Sequence, residues 1–146
     1  MEYHPLVGPV VALLAWSIVM MLWMYATRIP AMIAAGVDLK NRVGGGGRDL
    51  DAILPAKVQW KSHNYNHLME QPTLFYATCI ILILMQVDIA VATYAAWAYV
   101  GLRVLHSLVQ SLSNRIRYRF GLFLLASLCL VTLVAIAVLA LVLPIL

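Results

Sequence analysis

Two apolar runs fix the solvent in which this chain folds. Leu6 to Ala26 supplies 21 residues interrupted only by Gly8, Pro9 and Ser17, and Phe120 to Leu143 supplies a second run of the same character. A helix rises ~1.5 Å per residue, so ~20 apolar residues cross the ~30 Å hydrocarbon core of a bilayer. Between these runs, Leu68 to Gly101 extends for 34 residues, too long for one crossing, and Gln86-Val87-Asp88 divides it. The pattern predicts an all-α integral membrane protein: one domain, residues 1–146, built as a bundle of four transmembrane helices over about 6–27, 66–87, 89–112 and 118–143. The first run lacks a basic flank and is too long for a signal h-region, so it is expected to stay as the first span.

Composition agrees. The chain is 64% hydrophobic and 11% charged, against ~45–50% and ~25% in soluble domains. Cys79 and Cys129 both lie in apolar runs and read as small buried hydrophobes, not as a disulfide or metal pair. The net charge of +4 is too small to indicate a nucleic-acid partner. Position matters more than sum. The segment 28–60 is read as the one long polar loop, and with Lys61 it carries Arg28, Lys40, Arg42, Arg48, Lys57 and Lys61; Arg115, Arg117 and Arg119 sit before the last span. Nine of the ten basic residues thus fall on one side of a four-span bundle, while Glu2, Asp88 and both termini fall on the other. The positive-inside rule makes the basic side cytoplasmic. The expected location is a multi-pass protein of a bacterial inner membrane. Gly44-Gly45-Gly46-Gly47 lacks the strand and Gly-Lys-Ser/Thr ending of a phosphate loop and reads as a loop tip. Pro55 is suited to start a short helix from Ala56.

The polar residues that interrupt the apolar pattern carry the chemistry. An ionisable side chain at membrane depth costs ~2.5–3.5 kcal/mol or more, so it faces the bundle interior and finds a partner. His63, Asn66, His67 and Glu70 recur at steps of three and four and are expected on one helical face. Tyr99, Arg103, His106/Ser107, Gln110 and Asn114 form a second stripe. Arg103 keeps its charge, and Glu70 is its expected ion-pair partner. Arg115 and Arg119 are expected to share a face at i, i+4, with an anion between them, and Arg28 closes the first span. The plainer readings are interfacial anchoring for Arg115, Arg117 and Arg119, and a purely structural ion pair for Arg103 with Glu70. A metal on His63, His67 and Glu70 is disfavoured because no cysteine joins them. The aggregate of Arg28, Arg103, Arg115 and Arg119 with Asn66, Glu70, His106, Gln110 and Asn114 is a net positive pocket suited to a small anion bearing carboxylates or phosphate. A thiol on such a ligand would be drawn toward its thiolate by a nearby arginine.

With these motifs in view, the chain resembles the MAPEG family, the membrane-associated proteins in eicosanoid and glutathione metabolism, and in particular its bacterial-type members. The resemblance rests on the four-span layout, on Asn66-His67-Leu68-Met69-Glu70-Gln71-Pro72-Thr73-Leu74-Phe75, on Arg103-Val104-Leu105-His106, and on the arginine-rich segment Asn114 to Phe120. It implies a homotrimer of four-helix subunits with glutathione, a cosubstrate, held between neighbours near the cytoplasmic face. Carried over, Glu70 falls on the acid that holds the glutathione amino group, Arg103 on the third-span arginine, and the thiol-activating arginine on Arg119 or Arg117, with Arg119 preferred. His67 stands where the family has asparagine, and Gln110 about where it often has tyrosine. The expected activity is that of a glutathione-dependent transferase or peroxidase acting on small lipophilic electrophiles. Arg119 is the catalytic residue, and Arg28, Asn66, Glu70, Arg103, His106, Gln110, Asn114, Arg115 and Arg117 bind the cosubstrate. The rival expectation is a non-catalytic membrane protein whose polar cluster stabilises an oligomer or binds anionic lipid. A small transporter is disfavoured by the lack of paired broken helices.

Overall fold

The computed structural model describes residues 3–38, 40–41 and 43–143; Glu2 and Arg42, both used in the charge-asymmetry argument, lie outside them. Among the described residues the fold is all-helical: α1 (Val7–Ala34), a 3-10 turn (Gly47–Leu50), α2 (Ala56–Leu68), α3 (Gln71–Leu84), α4 (Ala90–Leu112) and α5 (Ile116–Val142). Three stretches, Val7–Ala34, Ala56–Leu84 and Ile116–Val142, are long and apolar enough to cross a membrane. Their outward faces carry Leu14, Ile18, Leu22, Leu128, Val131 and Leu141, all exposed. A helix apolar all round needs lipid on its outer face, and the molecule is an integral membrane protein. The interior is a single core of Leu13, Phe75, Cys79, Leu82, Ala96, Tyr99, Ala126, Leu130 and Leu133. α4 packs along α5 and also against α1 and α2, while α3 packs on α5.

Two boundaries differ from the sequence expectation, and a third, the helix start at Ala56 behind Pro55, agrees with it. The first helix does not stop before residue 28. It continues through Pro30 to Ala34, and Gly36, at φ +65°, ends it by bringing Val37 N–H onto the Met32 carbonyl at 3.1 Å. The segment 28–60 is therefore helical at both ends, because α2 already starts at Ala56, behind Pro55. Hydropathy hides α2, since its buried residues include Gln59, Ser62 and Asn64; two of these find polar partners, Ser62 on α1 and Asn64 on α4. The expected second span is also broken. Pro72 has no N–H and its ring excludes the carbonyl four residues back, so the chain leaves the helix after Leu68 and re-enters it at Gln71.

The turn between α3 and α4 uses the same closure as the end of α1. Gln86 sits at φ 56° and Val87 N–H donates to the Leu82 carbonyl at 3.0 Å. A residue with a Cβ is disfavoured there by about 1–2 kcal/mol, part of which glycine's greater unfolded freedom cancels. Gln86→Gly is therefore expected to stabilise the protein by roughly 0.5–1 kcal/mol, read as a higher thermal midpoint in detergent.

Candidate functional site

The polar stripe of α4 is buried: Tyr99, Arg103, His106, Ser107 and Gln110 are all closed from solvent. Three of them meet α2 and the start of α3 as an antiparallel ladder. Tyr99 O–H donates to Gln71 Oε1 at 3.3 Å. Arg103 Nη2 donates to the His67 carbonyl at 2.8 Å, and Ser107 Oγ donates to Asn64 Oδ1 at 3.0 Å. Steps of four along α4 match steps of four and three back along the other strand of the ladder. The register follows from the break at Met69-Glu70, which strips carbonyls in the last turn of α2 of their helical donors. A guanidinium at that end satisfies one of them and complements the negative end of the helix dipole.

Arg103 is 1% exposed, and its Nε and Nη1 have no hydrogen-bond partner among the described residues. The expected Glu70–Arg103 ion pair does not form. The break turns Glu70 outward, leaving its side chain 67% exposed with His67 Nε2 at 4.0 Å. The break also divides the residues expected on one face. His63 leaves the group to pair with Asp51 of the loop, Nε2 to Oδ2 at 3.0 Å.

His67, whose carbonyl Arg103 holds, lines a pocket of about 390 Å³ with His106, Ile116, Arg119, Phe120 and Phe123; Arg103 itself is not among the lining residues. The His67 ring packs against His106 at 5.0 Å and Phe123 at 5.4 Å between centroids. Arg119 is set from the α4–α5 turn. Asn114 adopts φ 50°, a region that asparagine tolerates better than most residues, and its Oδ1 accepts a hydrogen bond from Arg119 Nη1 at 2.6 Å. Arg119 Nε has no hydrogen-bond partner among the described residues. Arg117 is exposed, since two residues turn a helix by about 200°. Arg115 is the extended residue before α5, at ψ 113°, and is exposed, whereas Arg119 lines the pocket.

Arg28 and Asn66 lie elsewhere. They line a second pocket of about 560 Å³ with Met24, Gly46, Gly47, Arg48, Asp49, Ser62 and Tyr65. Arg28 donates to Ser62 Oγ and to the Gly47 carbonyl. Gly47 permits that approach, because a Cβ there would lie 3.3 Å from Arg28 Nη2. Asn66 and His67 are consecutive on α2 and so diverge by about 100°, placing the two pockets on different sides of one helix. The single basic pocket expected from sequence is thus two within one subunit.

Several residues of the site were not singled out from the sequence. Asn64 shares the three-residue step with His67 and is fully buried. Gln71 Nε2 donates to Ser127 Oγ at 2.8 Å, and a lone serine in an apolar span was the available signal for that contact. Nothing in the spacing marked Ile116, Phe120 or Phe123 as the pocket's apolar wall.

Asn114 carries both the turn and the arginine. Asn114→Ala is expected to destabilise the protein by about 1–2 kcal/mol, through loss of a charge-assisted hydrogen bond and of asparagine's tolerance of that backbone region. The thermal midpoint should fall, while Ser113→Ala in the same turn should leave it nearly unchanged.

The sequence model of the MAPEG family matches residues 6–139. No curated protein and no solved structure matches the chain significantly. The match takes in all the membrane-crossing candidates except the last turn of α5, together with the α2 break, the Arg103 ladder and the Arg119 pocket; the chain belongs to the MAPEG family, which includes glutathione transferases.

Proposed function

We propose that the protein is a membrane-bound, glutathione-type thiol-dependent transferase or peroxidase for small lipophilic electrophiles. The observation that carries this reading is the environment of Arg103. A guanidinium enclosed in an apolar bundle is strongly unfavourable without a counter-charge. Among the described residues no carboxylate lies within ion-pair distance of it. The pocket lined by His67 holds another guanidinium, Arg119, with an unpaired Nε, and Gln110 Oε1 on α4 is also unpaired. The unpaired guanidinium N–H groups fit a carboxylate-bearing ligand, and the Gln110 amide oxygen, an acceptor, fits a ligand N–H. Glutathione fits that description, and its thiol supplies the nucleophile.

Each residue then has a part. Arg103 holds a ligand carboxylate, and Glu70, which is exposed, takes the amino group. His106, Gln110 and Asn114 complete the hydrogen bonding. Arg119 stabilises the thiolate, which is the attacking species. Ile116, Phe120 and Phe123 offer an apolar wall to an electrophile arriving from lipid. Arg28 and Asn66 occupy a different side of the same subunit, which favours a site shared between neighbours in a homotrimer of four-span subunits. In that assembly α4 is the remaining span, and the loop and the α4–α5 turn face the cytoplasm of a bacterial inner membrane, with both termini outside. Exposed Arg115 and Arg117 favour a secondary role in contacting anionic headgroups. They suit that better than ligand binding.

Titration of the purified protein with glutathione, followed by thiolate absorbance, tests the reading. Saturable thiolate formation is expected, with a loss of about tenfold or more in Arg119→Ala, because an opposite charge at contact distance moves a thiol's ionisation by one unit or more. No binding at millimolar glutathione removes the proposal and leaves a non-catalytic membrane protein. Shared sites make a separate prediction. Arg28→Ala and Arg119→Ala subunits, each inactive alone, should regain part of the activity when co-expressed; no recovery means that the two arginines do not act across an interface.

A further inference from the structure

One group in the Arg119 pocket has no part in the scheme so far. His67 lines that pocket, and its side chain is 24% exposed, whereas the neighbouring His106 is 2% exposed. The ring is held by His106 from α4 and Phe123 from α5. Its Nδ1 is buried without a hydrogen-bond partner among the described residues, and its Nε2 faces Glu70 Oε2 across 4.0 Å. The imidazole is therefore fixed in direction and has one nitrogen available for proton exchange, with a carboxylate beside it. The charged and titratable groups that face it are Glu70 before α3, Arg103 and His106 on α4, and Arg119 on α5.

Thiolate formation requires a proton acceptor. The guanidiniums of Arg103 and Arg119 have no basic lone pair to offer. His106 is buried, and Glu70 is exposed and is not among the residues lining the pocket. We propose that His67 is the catalytic base of the pocket and Glu70 its positioning residue; this deepens the thiol-dependent reading and rests on it. The S–H bond breaks, its electron pair stays on sulfur, and the proton bonds to His67 Nε2. Glu70, 4.0 Å from that same nitrogen, stabilises the resulting imidazolium as a nearby opposite charge. Once sulfur has attacked the electrophile, the proton passes to the departing group, so no external oxidant or reductant is needed.

The test is the rate of thiolate formation on mixing with glutathione, measured across pH on the full chain in detergent. The unaltered protein is compared with His67→Asn and His67→Gln, both of which keep the main-chain carbonyl that Arg103 uses. The unaltered protein should show a rate that rises through the imidazole titration range. Both variants should lose that dependence and form the thiolate about tenfold or more slowly, with glutathione affinity within about twofold and the same oligomer size. Glu70→Gln should keep the dependence with a displaced midpoint; an unmoved midpoint removes Glu70 from the scheme. An unchanged profile in both His67 variants, with Arg119→Ala still losing the thiolate, overturns the proposal and leaves the thiol reading standing. Loss of the dependence in His106→Asn, with retention in the His67 variants, overturns it likewise. Absence of glutathione binding by the unaltered protein overturns both.

Discussion

The contact between the Arg103 guanidinium and the His67 carbonyl organises the polar interior of the bundle. Pro72 ends α2 one residue after His67 and so exposes main-chain acceptors inside a bundle that has little water to satisfy them. Arg103 reaches one of those acceptors from α4 and fixes the register of the two helices. The same register sets Ser107 opposite Asn64 and Tyr99 opposite Gln71. A helix break that would be a defect in lipid thus becomes the point from which the polar interior is laid out.

That contact uses one of the guanidinium's nitrogens and leaves Nε and Nη1 unpaired. An isolated cation in this position is unfavourable enough that natural bundles pair it, usually with a carboxylate. Here the acid expected to pair with it, Glu70, is turned outward by the same break that creates the acceptor. Arg103 is thus buried while Glu70 is exposed, and His67 and His106 line the pocket with Arg119.

The two pockets illustrate how a single helix can serve two environments. On α2, Asn66 opens toward Arg28 and the glycine-bearing loop, whereas His67 opens toward Arg119. Ser62 and Asn64 tie the same helix to α1 and α4. With polar contacts on several sides, α2 has no broad apolar stripe. Its place is set by hydrogen bonds to its neighbours more than by burial of hydrocarbon.

The sequence by itself determined the solvent and the kind of fold. Apolar runs such as Leu6–Ala26 and Phe120–Leu143 admit no other environment, since hydrophobic length is a one-dimensional property. It also marked the stripe Tyr99, Arg103, His106 and Gln110, because helical periodicity is local. Only the tertiary structure decided that Arg28 and Arg119 occupy different pockets, that Arg103 meets the His67 carbonyl, and that Asn64, Gln71 and Phe123 make contacts between helices. Each of those outcomes depends on a partner from a distant part of the chain: Ser62 on Arg28, Asn64 on Ser107, and the His67 carbonyl on Arg103. A helical wheel presents a side chain's direction along its own axis. It carries no information on which neighbour stands there, or on what a break four residues later does to that direction.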